Sequence, residues 1–259
     1  MKDRILTLLH DMEEKHGIRI LMAVSYGSRS FGYASAESDW DVRFIYINQP
    51  EWYFSIAKTD DSVKLMLDDE KLDIEGYDLK KALSLLAKTN PNESDWLHAK
   101  DYLIVDRDFL QTMQAFEAQC YNRHHAMYHF YSISLKHNQR YLEKEVTLKR
   151  FVYYMRGLLS CRWLEQNGSH PPVIVDELID ATVRDNESVR EKAHHLLELK
   201  RMGRSHDMTI VDDQLADYMF GLQKYYEQVL PKYKDIKPQA DLSAMSKYLM
   251  NVVMRKRQP

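Results

Sequence analysis

The sequence predicts an α+β protein in two parts: strands and helices over residues 1–117, then an all-α region over 118–259. Three observations lead there. In the first part, apolar runs of strand length alternate with turn signals; from Asp106 onward the apolar residues recur at helical spacing; and the composition shifts near residue 120. With 259 residues, each part is long enough to bury a core of its own.

Taken in order, Asp3 followed by Ile5, Leu8, Leu9 and Met12 predicts an opening helix with Asp3 as N-cap and Gly17 at its C-terminal end. Residues 18–25 are an apolar run of strand length that stops at Tyr26-Gly27-Ser28, where the backbone can turn sharply. Residues 40–47 predict a second strand, since Val42, Phe44 and Tyr46 alternate with Asp41, Arg43 and Ile45 and so give its two faces different chemistry. Residues 64–67 and 71–77, separated by Asp68-Asp69-Glu70, predict a hairpin. Asp78 caps a helix carrying Leu79, Ala82, Leu83 and Leu86, which Asn90-Pro91 breaks. Helical stripes follow at Phe109, Met113 and Phe116; Phe151, Leu158 and Leu159; Leu215, Met219 and Leu222; and Met245, Leu249 and Val252. Loops are expected at 168–172 and 203–206.

Basic residues (36) and acidic residues (39) nearly balance to a net charge of -3, so no global positive field attracts nucleic acid, and any such binding needs a local patch. The two cysteines, Cys120 and Cys161, have neither CxxC spacing nor a dense framework, so a reduced, cytoplasmic setting without disulfide or zinc is expected. Met1-Lys2-Asp3-Arg4 runs into the first helix without the apolar core of a signal peptide, and no stretch approaches the ~18 apolar residues of a membrane span.

The segment that carries chemistry lies between the first two strands. Gly27 allows close backbone approach to a bulky anion, and the amides of residues 28–30 with the Ser28 hydroxyl can donate to phosphate oxygens. After ten intervening residues come Asp39 and Asp41, two apart on a strand and so on one face, with backbones ~7 Å apart. Carboxylates meeting at ~4 Å without a cation would repel by about 4 kcal/mol at an effective dielectric of ~20, so convergence calls for a metal or a basic neighbour. Alone, Asp-x-Asp is more often a solvated face and Gly-Ser a turn. Together, at this spacing and between two strands, they place a phosphate seat beside a metal seat.

Gly27-Ser28, the ten-residue spacer and Asp39-Trp40-Asp41 resemble the signature of the DNA polymerase β-like nucleotidyltransferase superfamily. Leu72-Asp73-Ile74-Glu75-Gly76-Tyr77-Asp78-Leu79-Lys80-Lys81-Ala82-Leu83 and Asn90-Pro91 through Asp95-Trp96-Leu97 are similar to its YcgL/RlaP group. The resemblance implies a mixed-sheet, palm-like catalytic domain flanked by helices and followed by a helical domain closing the active-site cleft. It implies a nucleoside triphosphate substrate, with ATP the expected one, and Mg²⁺ or Mn²⁺ held by Asp39 and Asp41 with Asp73 completing the site. Transfer of a nucleoside monophosphate to a hydroxyl with release of pyrophosphate is the implied reaction. The association of some members with RNA repair genes points to an RNA acceptor, while a protein or small-molecule hydroxyl stays open, and no obligate protein partner or membrane is implied. Periodicity does not choose between Asp73 and Glu75; the resemblance favours Asp73.

Lys149, Tyr153 and Arg156 share a helix face, which is either a solvated stripe or a surface gripping the nucleotide. Arg29 sits beside the phosphate seat, and Arg43 either contacts phosphate or screens Asp41. His125 and His129 stand one turn apart without the glutamate of a His-Glu-x-x-His motif, and His194-His195 reads as surface or core. Tyr128, Tyr131 and Tyr141 are core candidates before they are base-stacking ones, and Arg255-Lys256-Arg257 reads as a solvated tail. Two rival functions are a catalytically idle nucleotide-binding or antitoxin-like module and a glycosyltransferase using Asp-x-Asp, although the latter has no need of the upstream Gly-Ser.

Overall fold

A computed structural model describes residues 1–57, 59–138, 147–204, 211–232 and 239–255. The elements are α1 (Lys2–His16), β1 (Arg19–Tyr26), α2 (Gly27–Ser30), β2 (Trp40–Ile47), α3 (Pro50–Tyr53), β3 (Ser62–Leu67), β4 (Leu72–Asp78), α4 (Leu79–Leu86), α5 (Pro91–Leu97), β5 (Tyr102–Val105) and α6 (Arg107–Cys120). Thereafter come α7 (Arg123–Asn138), α8 (Leu148–Asn167), α9 (Val175–Thr182), α10 (Glu187–Arg201), α11 (Asp213–Val229) and α12 (Leu242–Met254), with a 3-10 turn at Leu230–Lys232. Tyr141 and residues 256–257 of the basic tail lie outside the described residues, as does part of the 203–206 loop.

The five strands form one mixed sheet in the order β3-β4-β2-β1-β5. β2 and β4 run parallel, and the other neighbours are antiparallel. The expected α+β class is therefore the observed one. Alternation along β2 sorts the two faces: Val42, Phe44 and Tyr46 join Leu72, Ile74 and the Ile5, Leu8, Leu9 and Met12 stripe of α1 in one core. On the opposite face Ile45 and Ile47 pack with residues of α4, α5, α6 and α12. That second face is apolar at one end of β2 and charged at the other.

Local signals account for the ends of several elements. Gly17 ends α1 with φ 63, in the left-handed region. Asp78 accepts from the Lys80 amide and caps α4, Asn90 caps α5 and Asp106 caps α6. Asp3, expected as a cap, instead lies in the first turn of α1, where its charge suits the helix N-terminus. The hairpin expected at 64–67 and 71–77 forms between β3 and β4, with Lys71 at φ 49 closing the turn. Strand β5 goes beyond the sequence reading because Tyr102-Leu103-Ile104-Val105 is too short to show alternation.

Two compact units divide the chain: Met1–Gly27, Asp39–Tyr121 and Pro238–Pro259 in one, Ser28–Ser38 and Asn122–Lys237 in the other. This differs from a single linear boundary near residue 117, for two reasons of packing. Met245, Val252 and Val253 of α12 complete the sheet unit's core. The 28–38 segment belongs with the helices because Phe31 and Tyr33 set their rings edge-on to Tyr153, each at 6.5 Å, while the Val175 amide donates to the Phe31 carbonyl at 3.0 Å. The chain thus passes between units at Gly27-Ser28 and again at Ser38-Asp39, the two motifs singled out above.

Cys120 and Cys161 are free and buried, and burial raises both thiols, Cys120 to about 11. Among the described residues, no helix is long and apolar enough to cross a membrane.

Candidate active site

β1 delivers the chain to Gly27, whose φ of 62 is left-handed. A Cβ there would collide with the Asp41 carboxylate, so glycine serves both the backbone conformation and the approach of this acid. Asp41 opens β2 opposite Tyr26 of β1, and its parallel neighbour on β4 is Asp73. Side chains in register on adjacent strands share a face, about 4.8 Å apart. Two bare carboxylates at that spacing repel by about 3 kcal/mol at an effective dielectric of ~20.

Basic side chains offset that repulsion. Arg43, two residues along the same face, donates from Nη2 to Asp73 Oδ2 at 2.9 Å, and that nitrogen lies 3.8 Å from Asp41 Oδ1. Its Nη1 donates to the Val42 carbonyl at 2.9 Å and the Asp73 carbonyl at 3.1 Å. From β3, Lys64 brings Nζ to 3.6 Å from Asp73 Oδ1. Asp41, Asp73, Arg43 and Lys64 therefore sum to no net charge, so the screening role considered for Arg43 is the one its geometry displays. Glu75 stands in register with Arg43 on one side and Lys64 on the other, which leaves Asp73, not Glu75, beside Asp41.

Beneath this charged end lies an aromatic layer. The Arg43 guanidinium sits 5.7 Å from the Tyr26 ring, Tyr26 meets Trp96 edge-on at 6.3 Å, and Trp96 lies 5.0 Å from Tyr77. The Tyr26 hydroxyl donates to Asp95 Oδ2 at 3.3 Å, so the Asn90 to Leu97 segment supports the floor of the site through α5. Glu93 on the same helix is buried, and neither of its carboxyl oxygens has a hydrogen-bond partner among the described residues. Burial, and secondarily repulsion from Glu117, holds its carboxyl well above the usual range. Sequence reading overlooked Lys64, Tyr26 and Asp95; the alternation of Lys64 opposite Glu75 was the available signal for the first.

The donor set suits a hard divalent cation in kind, because Asp41 and Asp73 offer carboxylate oxygens side by side and Asp73 Oδ1 is buried with no hydrogen bond among the described residues. It is not a ready-made cage. Asp39 is exposed just before β2, and among the described residues no group of three or more His, Cys, Asp or Glu side chains is arranged to hold a metal ion. His125 and His129 accordingly form no such group, and His194 is engaged by Asp176 at 2.9 Å and Asp180 at 2.8 Å.

In the helical unit, the expected nucleotide-binding residues part company. Lys149 is exposed, whereas Tyr153 is half-buried and stacks on His137 with centroids 5.1 Å apart. Arg156 is only 5% exposed, with its guanidinium 4.0 Å from the Phe31 ring. A solvated stripe is therefore the wrong description of Arg156: α8 turns that position inward, and Phe31 takes its guanidinium face. Arg29 donates from Nη2 to the Ser38 carbonyl at 2.8 Å, tying together the two ends of the 28–38 segment, and the Ser28 carbonyl accepts from the Tyr33 amide at 3.0 Å. The segment after Gly27 is thus held from within and by α8 and α10, where Arg201 Nε donates to the Gly32 carbonyl at 2.9 Å.

A mixed sheet with a Gly-Ser exit from one strand and an acidic pair across two neighbouring parallel strands is a framework of the polymerase β class. The chain belongs to the RlaP family, the RNA repair pathway DNA polymerase β family, whose sequence model matches residues 1–251. It is 30% identical over 256 residues to the uncharacterized protein YcgL of Bacillus subtilis (strain 168), a match spanning 98% of this chain and 96% of that one. Among solved structures it is similar to a nucleotidyltransferase-like protein from Exiguobacterium sibiricum 255-15, at 13% identity and a TM-score of 0.32, covering 100% of this chain and 81% of that one.

Proposed function

We propose that the protein transfers a nucleoside monophosphate from a nucleoside triphosphate, ATP in the first instance, to a hydroxyl-bearing acceptor. The observation that carries this reading is the side-by-side register of Asp41 and Asp73, with Gly27 pressed against the Asp41 carboxylate, in a chain of the polymerase β family. Asp39, Asp41 and Asp73 are the acids assigned to Mg²⁺ or Mn²⁺, which when bound supplies charge neutralisation and lowers the pKa of the acceptor hydroxyl. Gly27 leaves room for the triphosphate, and the Ser28 hydroxyl donates to a phosphate oxygen. Lys149, exposed and cationic, is assigned to the triphosphate's remaining charge; Tyr153 and Arg156 act by holding Phe31 and Tyr33. The acceptor oxygen bonds to the α-phosphorus as the bond from that phosphorus to the bridging oxygen breaks. Pyrophosphate leaves, and the hydroxyl proton passes to solvent. Most of the rate comes from positioning and charge stabilisation. The family's description supports RNA as the acceptor.

One observation favours a second reading, a catalytically idle nucleotide-binding module: the acid pair is already balanced by Arg43 and Lys64. A screen separates the two. Each labelled nucleoside triphosphate is incubated with Mg²⁺ and with total RNA, protein or small hydroxyl compounds. Label transfer with pyrophosphate release, abolished by chelator, is expected; binding without transfer to any acceptor class supports the idle module.

A further inference from the structure

The guanidinium of Arg43 has an unequal grip. Nη1 is anchored to two backbone carbonyls, those of Val42 and Asp73, at 2.9 and 3.1 Å. Nη2 alone reaches the carboxylates, at 2.9 Å from Asp73 and 3.8 Å from Asp41. The whole side chain is largely buried, with 13% exposure, and one face lies against the Tyr26 ring. One nitrogen thus stands between the two acids while the other fixes the pivot.

We infer that Arg43 is a built-in competitor of the divalent cation: its Nη2 neutralises Asp41 and Asp73 when no metal is bound and must yield Asp73 for a metal to bind. The inference rests on the metal-dependent transferase reading and adds a regulation of that site. Four features support it. A cation is needed between the acids in either state, because they are adjacent in register. The carbonyl anchors survive if Nη2 lets go, so release needs a small rotation and not withdrawal of the side chain. Lys64, with its side chain 51% exposed, is a looser second counter-ion whose departure costs little. Glu75, flanked by Arg43 and Lys64 in register, is the acid to which the freed Nη2 can turn. The consequence is a site that binds metal weakly alone and well only when a triphosphate adds its own oxygens, which couples metal loading to substrate.

The test is Mn²⁺ binding to the full chain without nucleotide, read from the electron paramagnetic resonance of free Mn²⁺, for wild type, Arg43→Met and Lys64→Met. Arg43→Met is expected to bind Mn²⁺ about tenfold more tightly than wild type, the scale of one charge-assisted hydrogen bond, and Lys64→Met by a smaller factor. Adding Asp73→Asn to Arg43→Met abolishes the gain. The thermal midpoint gives an independent readout: Arg43→Met melts lower than wild type in chelator and recovers more on adding Mn²⁺. If Arg43→Met does not fold, Arg43→Lys, which keeps the charge but loses the two-nitrogen grip, is expected to bind Mn²⁺ more tightly than wild type. Unchanged or weaker Mn²⁺ binding in the Arg43 variant, while wild type binds Mn²⁺ with ATP, overturns the competitor role and leaves the transferase reading intact. Absence of Mn²⁺ binding in wild type and variant alike, with and without ATP, overturns both.

Discussion

The acidic pair of β2 and β4 and the cationic stripe of α8 handle charge in opposite ways. Asp41 and Asp73 lie side by side at one end of a sheet face and are balanced by charged partners, Arg43 and Lys64. On α8, Lys149 is left to solvent, while Arg156 is buried against an aromatic ring. Strand register forces two acids together and leaves cations to answer them. A helix face imposes no such meeting, and each of its members takes the environment its own turn provides. Charge at the sheet is therefore concentrated and available for chemistry, whereas charge on the helix is divided between solvation and packing.

The largest expected effect falls on the acid pair. Asp73→Asn should abolish transfer yet largely spare triphosphate binding, which Asp39, Asp41 and the phosphates still support through the metal. Glu75→Gln should retain most turnover, because Glu75 faces Arg43 and Lys64 and not Asp41. Steady-state rates and binding constants decide between them, and an active Asp73→Asn beside a dead Glu75→Gln would reverse the assignment. Next comes Gly27→Ala, where the new methyl group displaces Asp41 and transfer should fall by about a hundredfold. Gly17→Ala is the control: φ is the same to within a degree, 63 against 62, but the space is open, so it should cost about 1–2 kcal/mol of stability and no activity per folded molecule.

Arg156→Ala sharpens the contrast from the helical side. Losing the packed guanidinium should destabilise the fold by about 2 kcal/mol, seen in denaturant melts. Lys149→Ala should leave the melt within about 0.5 kcal/mol and lower transfer modestly; normal transfer would return Lys149 to a solvated role. Glu93 gives the smallest and most specific effect, as a buried acid whose carboxyl oxygens have no hydrogen-bond partner among the described residues. Its folded-state carboxyl titrates well above the ordinary range, so the native protein keeps a proton that the unfolded chain gives up. Stability is lost as pH rises from the ordinary glutamate value toward the folded one. Glu93→Gln, which cannot ionise, should match wild type near about pH 4 and exceed it near about pH 8 in thermal midpoint.

Much of the sheet unit was legible because strand signals are local. The alternation in 40–47 fixed which residues of β2 face the core, and the Gly-Ser to Asp-x-Asp spacing pointed to the candidate site. Pairing was not legible in the same way: only the parallel register of β2 with β4 puts Asp73, and not Glu75, beside Asp41. Long-range packing was the other blind spot. Nothing near residues 28–38 or 242–254 announces that Phe31 belongs with Arg156, or that Val252 completes the core under β1 and β2. Periodicity on α8 grouped Lys149 with Arg156 correctly by angle, but angle does not reveal which turn of a helix is covered.

The most direct test of metal-dependent nucleotide binding at the acid pair is a calorimetric titration of the protein with ATP, once in Mg²⁺ and once in excess chelator. Binding in Mg²⁺ should be at least about tenfold tighter, a difference of about 1.4 kcal/mol, and Asp41→Asn should erase the difference. Equal affinity with metal and with chelator in the wild-type protein would contradict the assignment of Asp41 and Asp73 to a metal-assisted transferase.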